Sequence, residues 1–506
     1  MSPKISIFKE PLIEFRYGQQ LEDPHDGLSL FGPFDADLPS HPKKITYGVI
    51  GTDEGIALFE GWSNKINEPI IDESEKKKLW PPFPGFEVAF DSEWPDNPAW
   101  NYSLDKLELI NASHHRDPNT RAFNIVSRYL KGFDIIQKKD EDFNVIICVV
   151  PDEVWKNCRP KSGVEHAWGD MPKKGIRKQF KEGQKTLFES WNSNSRGGWS
   201  TDRYGLSVDF RRQIKARTLK YNIPIQIIRE STLVPSSTGE DRRGMTCLSD
   251  RAWNLSTALY YKAGGKPWKL ASAREGVCYI GISFKRTEPG KEGKTACCAA
   301  QMFLDSGDGI VFLGDEGPWF SPEDRQFHLG KEAAEKLLTG ILETYHELEG
   351  KQLKELFLHS RSLIDKEEFE GYQNACPKEV KLVGIRVRRE QRGLKLYRSG
   401  KMPVLRGTFL EWNKNTGYLW GTGFKPRLET YDGWEVPSPL KIDILYGNAS
   451  IEQVAIDIFG LTKLNYNACK LGDSEPVTIK FSDDVGEILI SNPIIHERNP
   501  RFKFYI

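Results

Sequence analysis

Residues 143–150 read Phe-Asn-Val-Ile-Ile-Cys-Val-Val, apolar at every position but one. A run this short has no polar face to turn to water, so it reads as a strand covered on both sides. Strands covered on both faces belong to parallel sheets, whose crossover helices supply the cover. The flanks agree: 45–51 reads as a strand, 54–66 as a helix and 120–138 as another helix ahead of the apolar run. The first half is therefore α/β. Gly48 and Gly51 do not complete the Gly-x-Gly-x-x-Gly turn of a dinucleotide site.

A second sheet begins near residue 271. Strands are predicted at 276–284, 295–305 and 309–313, with a hairpin turn at 306–309. An amphipathic helix over 331–347 and a strand at 355–359 follow. Three strands in a meander and then helix alternating with strand suit an RNase H-like domain. The 506 residues are enough for two or three domains, and 14 Trp with 27 Phe supply packed cores.

Formal net charge is zero, so whole-chain charge neither favours nor excludes nucleic acid. Local charge is uneven, and basic runs cover 173–185, 211–220 and 386–398. In the second run Arg211 and Lys215 stand four apart on one helix face, and Asn222-Ile223-Pro224 ends that helix. A short strand follows with Gln226 on it. The helix within 251–268 closes on Gly264 and Gly265, with Lys262 at its end. Cations and an amide around one strand suit a terminal phosphate, although any single pair reads equally as a solvated helix face. A polar insertion at 159–205 carries Lys173, Lys174, Arg177, Lys178 and Lys185, either as a solvated loop or as a contact to a phosphate backbone. Arg386, Arg388 and Arg406 alternate with apolar residues, as on a strand with one face toward phosphates.

Eight cysteines form no Cys-x-x-Cys pair and read as reduced core residues. Neither an apolar signal core nor a membrane-length apolar run is present, which predicts a cytoplasmic protein with no membrane partner.

The order basic helix, Ile-Pro-Ile-Gln, then a helix ending Lys-Ala-Gly-Gly resembles the MID domain of Argonaute proteins, and the second sheet resembles their PIWI domain. The resemblance covers nearly the whole chain. It implies a lead-in segment at 1–40, a Rossmann-like MID domain at 41–268 that contains the insertion, and an RNase H-like PIWI domain at 269–506. Arg211, Lys215, Gln226 and Lys262 would hold the 5′-phosphate of a guide strand, with Arg211 where the family has an aromatic residue or His. The C-terminal carboxylate of Ile506 would reach the same pocket and, with guide phosphates, hold Mg²⁺.

In cleaving PIWI domains the first metal-binding carboxylate follows Gly-Ile, and here that position is Ser283. A second lies in a His-Arg-Asp-like run, matched by His359-Ser360-Arg361. A later position falls in 476–483, read as a strand, where Asp483 is available. Asp305, Asp308 and Asp315 read as turn residues. Nuclease activity is therefore expected to be lost. Nothing in the sequence matches an amino-terminal or PAZ domain, so the resemblance points to the short prokaryotic branch. It implies a guide RNA or DNA, a complementary single-stranded DNA target, and a partner with an APAZ region joined to a TIR or SIR2 effector, less readily a nuclease. Such pairs degrade NAD⁺ in defence against plasmids and phage. The alternative is a guide-directed nuclease with a different carboxylate set.

Overall fold

The computed structural model describes residues 3–72, 78–139, 141–164, 206–234, 246–286, 296–303, 309–317, 319–321, 326–348, 352–390, 393–431, 433, 435–491 and 499–506. The described residues form four sheets, and the first strand, β1 (Lys4–Ile7), belongs to the largest, of nine strands. The next largest contains β2 (Tyr47–Gly51), β3 (Trp100–Ser103), β4 (Val145–Val150) and β5 (Ile225–Arg229). Its order is β3-β2-β4-β5, and every pairing is parallel.

All six residues of β4 are buried, as their composition requires. Val145, Ile147 and Val149 face a core shared with Ile56, Phe59 and Trp62 of helix α1 (Asp53–Ile66). Ile146, Cys148 and Val150 face the opposite core, with Val126, Tyr129 and Phe133 of α2 (Pro118–Ile136). The period-two alternation thus delivers one strand to two cores. Thr52 caps α1, and Asp117 caps α2 ahead of Pro118.

Helix α3 (Phe210–Thr218) starts on the Asp209 cap and tightens into a 3₁₀ turn that stops at Asn222, whose φ is +53°. Helix α4 (Leu248–Lys262) ends just before Gly264, whose φ is +108°. A Cβ on Gly265 would lie 2.3 Å from the Tyr260 ring, so only glycine fits there.

The largest sheet adds β6 (Val277–Arg286), β7 (Ala296–Phe303), β8 (Gly309–Gly317), β9 (Glu355–Ser360), β10 (Lys381–Arg389), β11 (Thr408–Asn413), β12 (Thr416–Leu419) and β13 (Leu440–Tyr446). Its order is β1-β11-β12-β13-β10-β9-β6-β7-β8. β9 runs parallel to both neighbours, β6 and β10. Helices α5 (Lys331–Leu348) and α6 (Lys366–Ala375) cover one face of this region, around Ile280, Leu337, Leu356 and Phe369. Helix α7 (Val477–Leu489) lies against β6 and β7. The α/β class and the meander followed by helix–strand alternation are as expected from the sequence. Asp315 falls within β8 rather than in a turn, while Asp305 and Asp308 lie outside the described residues.

Residues 476–483 are not the strand predicted above. They hold Pro476 and the first two turns of α7. The Val-Thr-Ile run favours a strand locally, but the segment fits helically into a groove made by a missing side chain. A Cβ on Gly281 of β6 would meet the Thr478 carbonyl at 1.8 Å. α7 is buried at nine of its thirteen positions, so no polar stripe betrays its period.

One apolar core runs from Tyr47 and Val49 of β2 through Tyr260 and Tyr261 of α4 and Phe481 of α7 to Ile385 of β10. Phe502, Phe504, Tyr505 and Ile506 are buried in it. The two larger sheets therefore meet where α3, α4 and residues 502–506 converge.

Candidate functional site

At this junction Lys215 of α3 and Lys262 of α4 are 3% and 1% exposed. Lys215 Nζ donates to the Tyr505 main-chain oxygen at 3.1 Å. Lys262 Nζ donates to the Ile225 oxygen at 2.9 Å and to the Ile506 oxygen. Neither ammonium has a side-chain carboxylate within ion-pair distance among the described residues. Arg211, one turn before Lys215, is exposed at the rim. Burial pushes Lys262 down to about 7, and the Arg211 charge adds to the shift. Burial, then the charges of Lys262 and Arg211, holds Lys215 well below the ordinary lysine value. Arg211, Lys215, Lys262 and Ile506 are thus brought together.

Gln226 flanks them on β5, next to Ile225, and is half-buried. Its carboxamide nitrogen donates to the Ile227 carbonyl at 3.2 Å rather than to the lysines' acceptors. Beside Arg211 lies a cleft of about 300 Å³ lined by Trp155, Cys158, Arg159, Phe210 and Asp484. The terminal segment is anchored by Tyr505, whose hydroxyl donates to the Asn499 carbonyl at 2.9 Å, and by Phe502, 5.1 Å from the Phe481 ring.

A second cluster lies past the carboxyl end of β9, beside the last residues of β6. Ser283 is 5% exposed, and its hydroxyl donates to the Ser482 carbonyl at 2.6 Å. Arg361 places Nε 3.4 Å from Asp483 and Nη2 3.2 Å from Glu475. Asp483 also meets Lys285 at 3.2 Å, and Glu475 meets Arg389 at 3.0 Å. Ser283, Arg361 and Asp483 are therefore neighbours, as the resemblance implied. Glu475 and Lys285 were missed, because nothing in their local sequence marks them as partners of Arg361. His359 is buried, held by Thr478 at 2.9 Å, and pushed by burial down to about 3. It is a neutral structural residue.

The backbone-contact candidates divide. Arg388 is exposed on β10, and Arg386 is half-buried there, with its Nε donating to the Arg361 carbonyl at 3.1 Å. Arg406 is not a nucleic-acid contact. Its side chain is 1% exposed, meets both Glu10 oxygens at 3.1 Å, and donates to the Asp473 carbonyl and the Thr462 hydroxyl. Lys463 shares Glu10 at 2.9 Å. A charge run shows sign but not burial, and this arginine fastens the lead-in segment inside the protein. Lys173, Lys174, Arg177, Lys178 and Lys185 lie outside the described residues.

No family model matches the chain. Over 286 residues it is 22% identical to the protein argonaute of Aquifex aeolicus, covering 55% of this chain and 35% of that one. The structure of Clostridium butyricum Argonaute bound to a guide DNA and a 19-mer target DNA superposes with a TM-score of 0.62 and 15% identity, over 100% of this chain and 55% of that one. The crystal structure of Aa-Ago with externally bound siRNA gives a TM-score of 0.57 and 13% identity, over 98% of this chain and 55% of that one. The chain spans about a third to a half of the length of these relatives. It is Argonaute-like in sequence over that stretch, and its fold is that of the Argonaute MID and PIWI regions.

Proposed function

We propose that the chain binds a 5′-phosphorylated guide strand together with a complementary target, and that it does not cut either. The observation that carries this reading is the pair of buried lysines, Lys215 and Lys262, which face main-chain oxygens and the Ile506 oxygen but no side-chain carboxylate within ion-pair distance among the described residues. Burying an ion costs several kcal/mol unless opposite charge meets it. A terminal phosphate brings close to two negative charges, and Lys215, Lys262 and Arg211 supply charge-assisted donors for it. Gln226 adds an amide donor once it leaves the Ile227 carbonyl. The subjects of the compared structures, a guide DNA with its target and an siRNA, agree with this by analogy of fold.

The buried Ile506 oxygen fits a role as one Mg²⁺ ligand, since this ion is usually held by one or two carboxylates plus phosphate oxygens. When bound, the ion supplies counter-charge to the guide phosphates. Lys262, which now donates to that oxygen, then turns to the phosphate.

The non-cleaving assignment rests on chemistry at the second cluster. Two-metal cleavage needs carboxylates converging on cations. Here Ser283 offers no carboxylate, and Glu475 and Asp483 each hold Arg361. Catalysis is assigned to a partner with an APAZ region joined to a TIR or SIR2 effector that degrades NAD⁺. The test is the chemistry of co-purified strands. Short nucleic acids recovered from the protein should accept kinase label only after phosphatase treatment. Strands that label directly, or no strands at all, count against the reading.

A further inference from the structure

We infer that Arg361 and Arg389 form a clamp for the backbone phosphodiester of a nucleic-acid strand, built where the chain's parallel strands end. This rests on the reading of the chain as a guide–target binder and names an interaction which that reading does not contain.

The place is set by topology. β6 and β9 are parallel neighbours, and the chain leaves β6 toward β7 on one side and β9 toward β10 on the other. The crevice outside the carboxyl ends of such a strand pair is where ligands of open α/β sheets bind. Ser283 and Arg361 stand at that crevice, Ser283 near the end of β6 and Arg361 directly after β9.

The charges there form a continuous row. Arg389 meets Glu475 at 3.0 Å, and Glu475 meets Arg361 at 3.2 Å. Arg361 meets Asp483 at 3.4 Å, and Asp483 meets Lys285 at 3.2 Å. Lys285 meets Glu487 at 3.5 Å, and Glu487 meets Arg212 of α3 at 2.6 Å. The row begins and ends on cations, and Arg386 joins it through the Arg361 carbonyl. Four cations therefore alternate with three carboxylates along the row, and Arg386 has Asp443 as its cross-strand neighbour.

Exposure separates the two arginines from the carboxylates, whereas Lys285, at 21%, lies as deep as Asp483 and Glu487. The side chains of Glu475, Asp483 and Glu487 are 10%, 27% and 28% exposed, whereas Arg361 and Arg389 are 47% and 52% exposed. The carboxylates lie behind and fix the guanidinium planes, and the guanidiniums face solvent. A planar fork held from behind suits a phosphate oxygen pair, which arginine meets bidentately. An extended polyanion fits this surface better than an isolated small anion.

The experiment uses the full chain as Arg361→Gln, Arg389→Gln and Glu475→Gln. Guide-alone affinity and target capture by the guide-loaded protein are measured across a salt series, with melting temperatures as a fold control. Each arginine variant should weaken strand binding about tenfold and reduce the salt slope by about one, because a phosphate left without its arginine keeps nearly one counterion that binding would otherwise release. Glu475→Gln should keep or tighten binding, since its amide oxygen can still accept from both guanidiniums while a competing negative charge is removed. Loss confined to target capture assigns the phosphodiester to the target strand, and loss already present with guide alone assigns it to the guide. Unchanged affinity and slope in both arginine variants, with guide still loaded, overturn the clamp. So does an equal loss in Glu475→Gln, the mark of a merely structural network. A wild-type protein that binds no guide overturns the guide-binding reading itself, and the clamp with it.

Discussion

Lys215 Nζ donates to the main-chain oxygen of Tyr505 at 3.1 Å, across 290 residues of sequence. This bond closes the first α/β unit with the final residues of the second, so the cationic seat exists only when both sheets are folded together. Lys262 repeats the arrangement toward Ile506. The seat is thus a product of tertiary structure rather than of the basic helix alone.

The buried Arg406 assembly should govern stability and leave strand binding unaffected. Removing one partner of a buried ion pair leaves the other uncompensated and costs about 3–5 kcal/mol. Arg406→Met should lower the denaturant midpoint accordingly, while the salt slope of guide binding stays that of wild type. A reduced slope with normal stability would return Arg406 to the nucleic-acid surface.

Glu368 gives a pH prediction. Burial raises its carboxyl to about 8, the nearby Asp365 charge adds to the rise, and the Tyr372 hydroxyl donates to it at 2.9 Å. The folded value lies above the unfolded one, so the stability tied to its proton is complete below about 4.5 and is lost as pH rises through about 8. Near neutral pH most of the proton's cost is already present. Glu368→Gln should therefore be more stable than wild type by roughly 2–4 kcal/mol at pH 7 to 8, and the advantage should vanish near pH 4. Parallel stability curves for the two proteins across that range would contradict the assignment.

The fold class was legible in β4, because an all-apolar run of this length leaves only a strand covered on both faces. Lys215 and Lys262 were legible because they flank one short strand, and the topology of a parallel sheet brings such flanks together. The α7 segment was not. Its period is visible only through burial on nearly every side and through the missing Cβ of Gly281, both properties of its partners. Arg406 was misread for a similar reason, since its counter-ion, Glu10, lies 396 residues away. Glu475 carries no local sign that it orients two arginines. Local pattern reports what a residue is, and these errors concern what it meets.

Cleavage should be absent. Guide-loaded protein incubated with a labelled complementary target and Mg²⁺ or Mn²⁺ should leave the target intact, because Arg361 occupies both candidate carboxylates of the cluster. A guide-dependent cut at one fixed position, abolished by Asp483→Ala, would show a working metal site there.

The most direct test of the phosphate seat is guide affinity as a function of the 5′ end. Hydrogen bonds to charged groups contribute about 1.5–3 kcal/mol each, so losing one ammonium should weaken binding of a 5′-phosphorylated guide by roughly ten- to a hundredfold. Wild type should prefer that guide over its 5′-hydroxyl counterpart, and Lys215→Ala and Lys262→Ala should each erase most of the preference. Equal affinity of wild type for the two guides, or full discrimination retained in Lys215→Ala, would contradict the account.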